Sequence, residues 1–152
     1  FAEIATNLSN LWDEDMLRDH ADDMIGKMEQ DETFVPFIPK ERSNRLFETI
    51  QGEIHILPRV TIDPVVRYYN QLDAIDAIAD DMRSAGFKEL AQERRIAMYE
   101  DYVAMRIQAQ VYGQIANSLI AEFSDQGKEA AEAVAEKLER RLSNRPVDRS
   151  DP

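Results

Sequence analysis

The sequence predicts an all-α fold: an elongated bundle of four to five helices built around one long antiparallel helical hairpin. Three observations carry that expectation. An apolar stripe steps by four and three residues from Met98 through Tyr102, Met105, Ala109, Tyr112, Ala116 and Leu119 to Phe123, the spacing of one helix face. A second face, Val65, Tyr69, Leu72, Ile75, Ala79 and Met82, precedes it across a short break at Ser84-Ala85-Gly86. No stretch shows the alternation of a half-buried strand. A helix over 88–123 would measure about 54 Å. A compact globule of this length is only about 40 Å across, so the molecule is expected to be elongated.

One helical domain is expected over 1–142, with a flexible tail at 143–152. In the acidic N-terminal helical region, 1–32, the face of Ile4, Leu8 and Leu11 is rotated away from that of Leu17, Ala21, Met24, Ile25 and Met28. A break between them, with Asn10 or Asp13 capping a second helix, accounts for the shift. The connector 33–40 holds two prolines and is expected to be extended, held down by Phe34 and Phe37. Leu46, Phe47, Ile50, Ile54 and Leu57 recur at helical spacing over 41–57, until Pro58. Asp63-Pro64 reads as a cap followed by proline at the first helical position, opening a helix over 63–84. Gly86 is expected in the left-handed conformation that ends it. After 88–123 a break is expected before Gly127, and then a helix over 128–142 that buries Ala131, Val134, Ala135, Leu138 and Leu142.

Composition narrows the function. Thirty acids against eighteen bases leave 152 residues with a net charge of −12, which opposes general affinity for nucleic acid or anionic lipid. Ten of those acids lie in residues 1–32 beside only Arg18 and Lys27. The absence of cysteine removes disulfides and thiolate chemistry and makes a reducing, cytoplasmic setting the default. The longest uncharged run, Ile107–Ala121, is too short and too polar to span a bilayer. The start at Phe1, with Trp12 ending an apolar segment, is compatible with a membrane anchor upstream.

Few residues invite chemistry. His20 and Asp23 have helical spacing for a shared cation, but no Glu-x-x-His pair accompanies them, and a solvated histidine among acids is expected. His55 is expected to cap a helix end. Asp73, Asp76 and Asp80 share a narrow arc of one helix and are the weak candidates for a cation site, with Arg94 and Arg95 placed to compensate them across the hairpin. No phosphate-binding loop, zinc-protease or serine-nucleophile motif is present. No catalytic residue, cofactor or metal is therefore assigned.

One feature points to protein contacts. Val103, Ile107, Val111 and Ile115 form a second apolar row on the long helix, and one antiparallel neighbour cannot cover both rows. The row is expected to meet either the 128–142 helix or a second copy of the chain. The functional expectation is a non-enzymatic helical interaction or assembly module that binds a protein partner or forms a homo-oligomer. The alternative is a helical-bundle enzyme or sensor with a carboxylate-rich divalent-cation site.

Overall fold

A computed structural model describes residues 4–6, 8, 13–40 and 59–143. The expected helix over 41–57, His55 and the tail beyond residue 143 lie outside the described residues. Among the described residues the fold is all-α, with α1 Glu14–Gln30, α2 Arg59–Arg83, α3 Ala85–Glu89, α4 Gln92–Gln126 and α5 Lys128–Ser143. Ile4, Ala5, Thr6 and Leu8 are also helical.

The start of α1 follows from its sequence. Asp13 is the cap, its carboxylate accepting from Met16 N–H at 2.8 Å, and Glu14 and Asp15 occupy the positive end of the helix dipole. Leu17, Ala21 and Met28 are buried, while Met24 and Ile25 are half-buried beside them. The connector opens with a turn at Asp31, whose carbonyl accepts from Phe34 N–H at 3.0 Å and whose carboxylate accepts from Thr33 N–H at 2.8 Å and Thr33 Oγ1 at 2.7 Å. Its anchors differ from those expected. Pro36 and Ile38 are buried and Phe34 is half-buried, but Phe37 is 88% exposed. Successive side chains of an extended segment point opposite ways, so the burial of Pro36 and Ile38 turns Phe37 outward.

Two boundaries of the hairpin also differ. The second arm begins at Arg59, so Asp63 is no cap and Pro64 lies inside the helix. Proline there withholds only the N–H that the Val60 carbonyl would accept, a loss confined to the second turn. Asp63 instead faces Arg59, one turn earlier, at 3.8 Å. Gly86 is not left-handed but lies within the short α3; Gly127, between α4 and α5, is the described glycine with positive φ, at 86°. The break at residue 84 comes from Ser84, whose Oγ and N–H both donate to the Asp81 carbonyl, at 2.7 and 3.1 Å. Phe87, 2% exposed, plugs the end of the hairpin.

With 35 residues, α4 is about 52 Å long. Packed antiparallel to it, α2 runs along its middle: Gln71 Nε2 donates to the Met105 carbonyl at 3.2 Å, and Val65 and Tyr68 share a core cluster with Ala116. A second cluster near the turn joins Ile75, Ala79 and Met82 of α2 to Tyr99, Tyr102 and Ala109 of α4 and to Ala21 and Met28 of α1. At the far end α5 folds back on α4, with Ala131 fully buried and Val134, Ala135 and Leu138 half-buried.

Gly113 of α4 leaves no room for a side chain beside Tyr68 of α2. A Cβ there would lie 2.9 Å from Leu8 Cδ2 and 3.0 Å from Cε2 of Tyr68, a ring with no exposed surface. Gly113→Ala is therefore expected to destabilise the protein despite better helix propensity, because overpacking costs about 1–3 kcal/mol against a propensity gain of about 1 kcal/mol. Gly26→Ala, where a Cβ meets nothing within 4 Å inside α1, should stabilise by about 0.5–1 kcal/mol. Urea unfolding of both variants checks the pair; a stabilised Gly113→Ala would refute the close approach.

Candidate functional site

Side chains in the first turn of α4 tie down the end of α1 and the connector. Gln92 Nε2 donates to the carbonyls of Met28 and Glu29, at 2.6 and 3.1 Å, which lie in the last turn of α1 where helical partners run out. Arg95, 4% exposed, donates from Nη1 to the Phe34 carbonyl at 3.2 Å and from Nη2 to the Glu32 carbonyl. Its charge sits beside the negative end of the α1 dipole. From α2, Arg83 Nη1 reaches the Pro39 carbonyl at 2.9 Å.

The connector held in this way closes a cavity of about 460 Å³. Leu17, His20 and Met24 of α1 form one wall, Phe37, Ile38 and Pro39 the rim, and Tyr99, Tyr102, Val103 and Arg106 of α4 the floor. Its volume falls within the roughly 300–1,000 Å³ of ordinary small-ligand sites, and its lining is mostly apolar with a few convergent polar groups. Arg106 Nη1 donates to Tyr102 Oη at 3.0 Å, and its guanidinium carbon lies 5.5 Å from the centroid of the same ring. Burial pushes the Tyr99 phenol up to about 12, Tyr102 and Asp23 adding to the rise and Arg106 opposing it. The field of Asp23 is offset by Lys27, whose Nζ is 2.6 Å from its carboxylate.

The candidates expected from the sequence fare differently. Asp80 is paired with Arg83 at 2.5 Å, and that hydrogen bond holds its carboxyl below the usual value. Asp73 is exposed and Asp76 half-buried, and both have interaction partners. Arg95 does not compensate these acids as expected, because its guanidinium is spent on the connector carbonyls. Among the described residues no three His, Asp or Glu side chains are grouped to hold a metal ion. His20 is exposed, is partnered, and lines the cavity. The row Val103, Ile107, Val111 and Ile115 is half-buried throughout. Val103 belongs to the cavity floor, and Ile115 to a smaller cavity shared with Ala135 and Leu138 of α5.

No sequence pattern marks this cavity, since its walls come from three separate segments. One local signal was available: Arg106 stands between Met105 and Ile107 on a helix that is apolar over most of its circumference. A charge there needs a polar partner or a reason to be kept. Comparison with protein-family models, with curated proteins and with solved structures finds no match.

Two titrations test this geometry. The Tyr99 phenol ionises at about 12 in the folded protein against 10.0 ordinarily. The stability this shift contributes is fully present below pH 10.0 and should be lost as pH rises towards 12. Absorbance titration of wild type and Tyr99→Phe should therefore show one late-ionising tyrosine missing from the variant. On the acid side, the hydrogen bonds from Thr33 lower the Asp31 carboxyl from 3.8. Its contribution is present above 3.8 and fades as pH falls through the lowered value. Thermal melting of Asp31→Asn should accordingly lose part of the wild type's decline on acidification; an identical decline would contradict the Asp31 turn.

Proposed function

We propose that this chain is a non-enzymatic helical assembly module that self-associates along α4. The observation that carries the reading is the second apolar row: its ends, Val103 and Ile115, are taken up by the cavity floor and the α5 contact, while Ile107 and Val111 between them are half-buried midway along the longest helix. A two-fold axis crossing that midpoint would set the same row of each copy against the other, which is the commonest way for a soluble chain to pair. The cysteine-free composition favours a cytoplasmic setting. Among the described residues no helix is long and apolar enough to cross a membrane.

The net charge of −12 on each copy opposes pairing. Contact through apolar side chains should therefore strengthen as salt screens the repulsion, the Debye length falling from about 30 Å at 0.01 M to about 8 Å at 0.15 M. Light scattering over about a hundredfold range of protein concentration, with circular dichroism, provides the test. Wild type should grow in mass with concentration and with salt. Ile107→Asp should remain helical and smaller, because a charge in a subunit interface weakens association without unfolding the protomer. A wild type that stays monomeric throughout would refute the proposal, as would an Ile107→Asp variant that associates normally.

A further inference from the structure

We propose that the cavity between α1, the connector and α4 is a binding site for a small neutral molecule with an apolar body and one carbonyl oxygen. The observation that carries the assignment is Tyr99. It is only 3% exposed, lines the cavity, and makes no hydrogen bond through its hydroxyl among the described residues. Nor is that hydroxyl among the polar atoms sealed from solvent, so the surface it keeps is turned to the cavity. A phenol buried to this degree ordinarily has a partner. Burial also pushes its ionisation up to about 12, so the group on offer is a neutral O–H donor.

The other polar groups of the lining are already engaged. Arg106 donates to Tyr102 Oη at 3.0 Å, and Arg106, Tyr102 and His20 have further partners. A ligand therefore has no charge to answer at the floor and one hydrogen bond to accept. Leu17, Met24, Ile38 and Val103 surround the remaining space, and about 460 Å³ holds a ring or a chain of several methylenes. Phe37, 88% exposed at the mouth, offers a further apolar face. A ketone or ester oxygen accepts from Tyr99 and leaves nothing unsatisfied, whereas an alcohol or amide brings a second polar hydrogen to be met. A carboxylate would shed its hydration beside Asp23, whose field reaches Tyr99, with no free cation in return. The lining does not include Ile107 or Val111, so ligand binding and self-association can fail independently.

Isothermal titration calorimetry with acetophenone, ethylbenzene and benzoate, at physiological salt, tests the assignment. The first two have nearly the same shape and differ in the carbonyl; the third replaces it with a charge. Wild type should bind acetophenone saturably, with one site per chain, and should show no saturable binding of benzoate. Tyr99→Phe, which removes only the hydroxyl, should weaken acetophenone about fivefold and leave ethylbenzene unchanged. Val103→Trp, which fills the floor, should abolish acetophenone binding; if circular dichroism finds that variant unfolded, Met24→Phe on the facing wall serves in its place. Absence of saturable acetophenone binding, a Tyr99→Phe variant that binds acetophenone as wild type does or loses both neutral ligands equally, or benzoate bound as tightly as acetophenone would each overturn the assignment. So would undiminished binding in a folded, cavity-filled variant.

Discussion

The close approach of α2 and α4 is the constraint on which the other contacts depend. Ala109, Gly113 and Ala116 stand three and four residues apart on α4, so they share one face and offer almost no side chain to the neighbouring helix. That recess admits the ring of Tyr68, which is fully buried and meets Tyr69 edge-on at 5.1 Å between centroids. Larger residues on α4 would hold the arms apart, lift Gln71 from the Met105 carbonyl and open both core clusters. Of the three, only Gly113 costs helix propensity, glycine being about 1 kcal/mol worse than alanine. The burial of an aromatic side chain is worth about 1.5–3 kcal/mol and outweighs that loss.

Once the hairpin sets the position of α4, its first turn decides where the connector runs. Arg95 and Gln92 satisfy carbonyls at and just beyond the end of α1, groups that would otherwise be left without donors. Arg95 is buried, and its Nε has no hydrogen-bond partner among the described residues. Burying a guanidinium costs several kcal/mol unless its donors are met, so this residue is committed to the two carbonyls that do meet them. It is therefore a structural cation; Arg106, three turns further on, donates to the Tyr102 phenol at the cavity. Two arginines on one helix are thus separated in role by what their surroundings ask of them.

The parts of the fold legible in the sequence were those where local chemistry and tertiary packing agree. The Met98 to Phe123 stripe, the Asp13 cap and the apolar side of α5 each follow from periodicity or capping alone, and the structure has all three. Asp63-Pro64 misled because a cap followed by proline looks the same as an ion-paired aspartate followed by proline in a second helical turn. Gly86 misled because glycine near a break suggests a left-handed residue, yet the Ser84 hydroxyl ends α2 and leaves Gly86 in ordinary helical conformation. Phe37 shows the limit of composition: an aromatic residue between prolines is expected inside, but backbone direction turns it out. The cavity was out of reach for a different reason. It depends on Arg95 and Arg83 holding the connector, and long-range contacts to carbonyls leave no trace in spacing.

Charge placement bears on how two copies could meet. α1 packs against the first half of α4 with Asp15, Asp19, Asp22 and Asp23 exposed, and Asp73, Asp80 and Asp81 are exposed on α2 towards the same end. At the other end, α5 exposes Lys128, Lys137 and Arg140 among its acids. Among the described residues, charge is therefore most acidic towards the hairpin turn and closer to neutral at α5. An axis parallel to α4 would bring the two acidic ends together. An axis perpendicular to α4 through Ile107 and Val111 places the acidic end of each copy beside α5 of the other, so repulsion falls while the apolar row still meets itself. Of the two symmetric arrangements, electrostatics favours the antiparallel one, and the preference should be largest at low salt, where charges some 30 Å apart still interact.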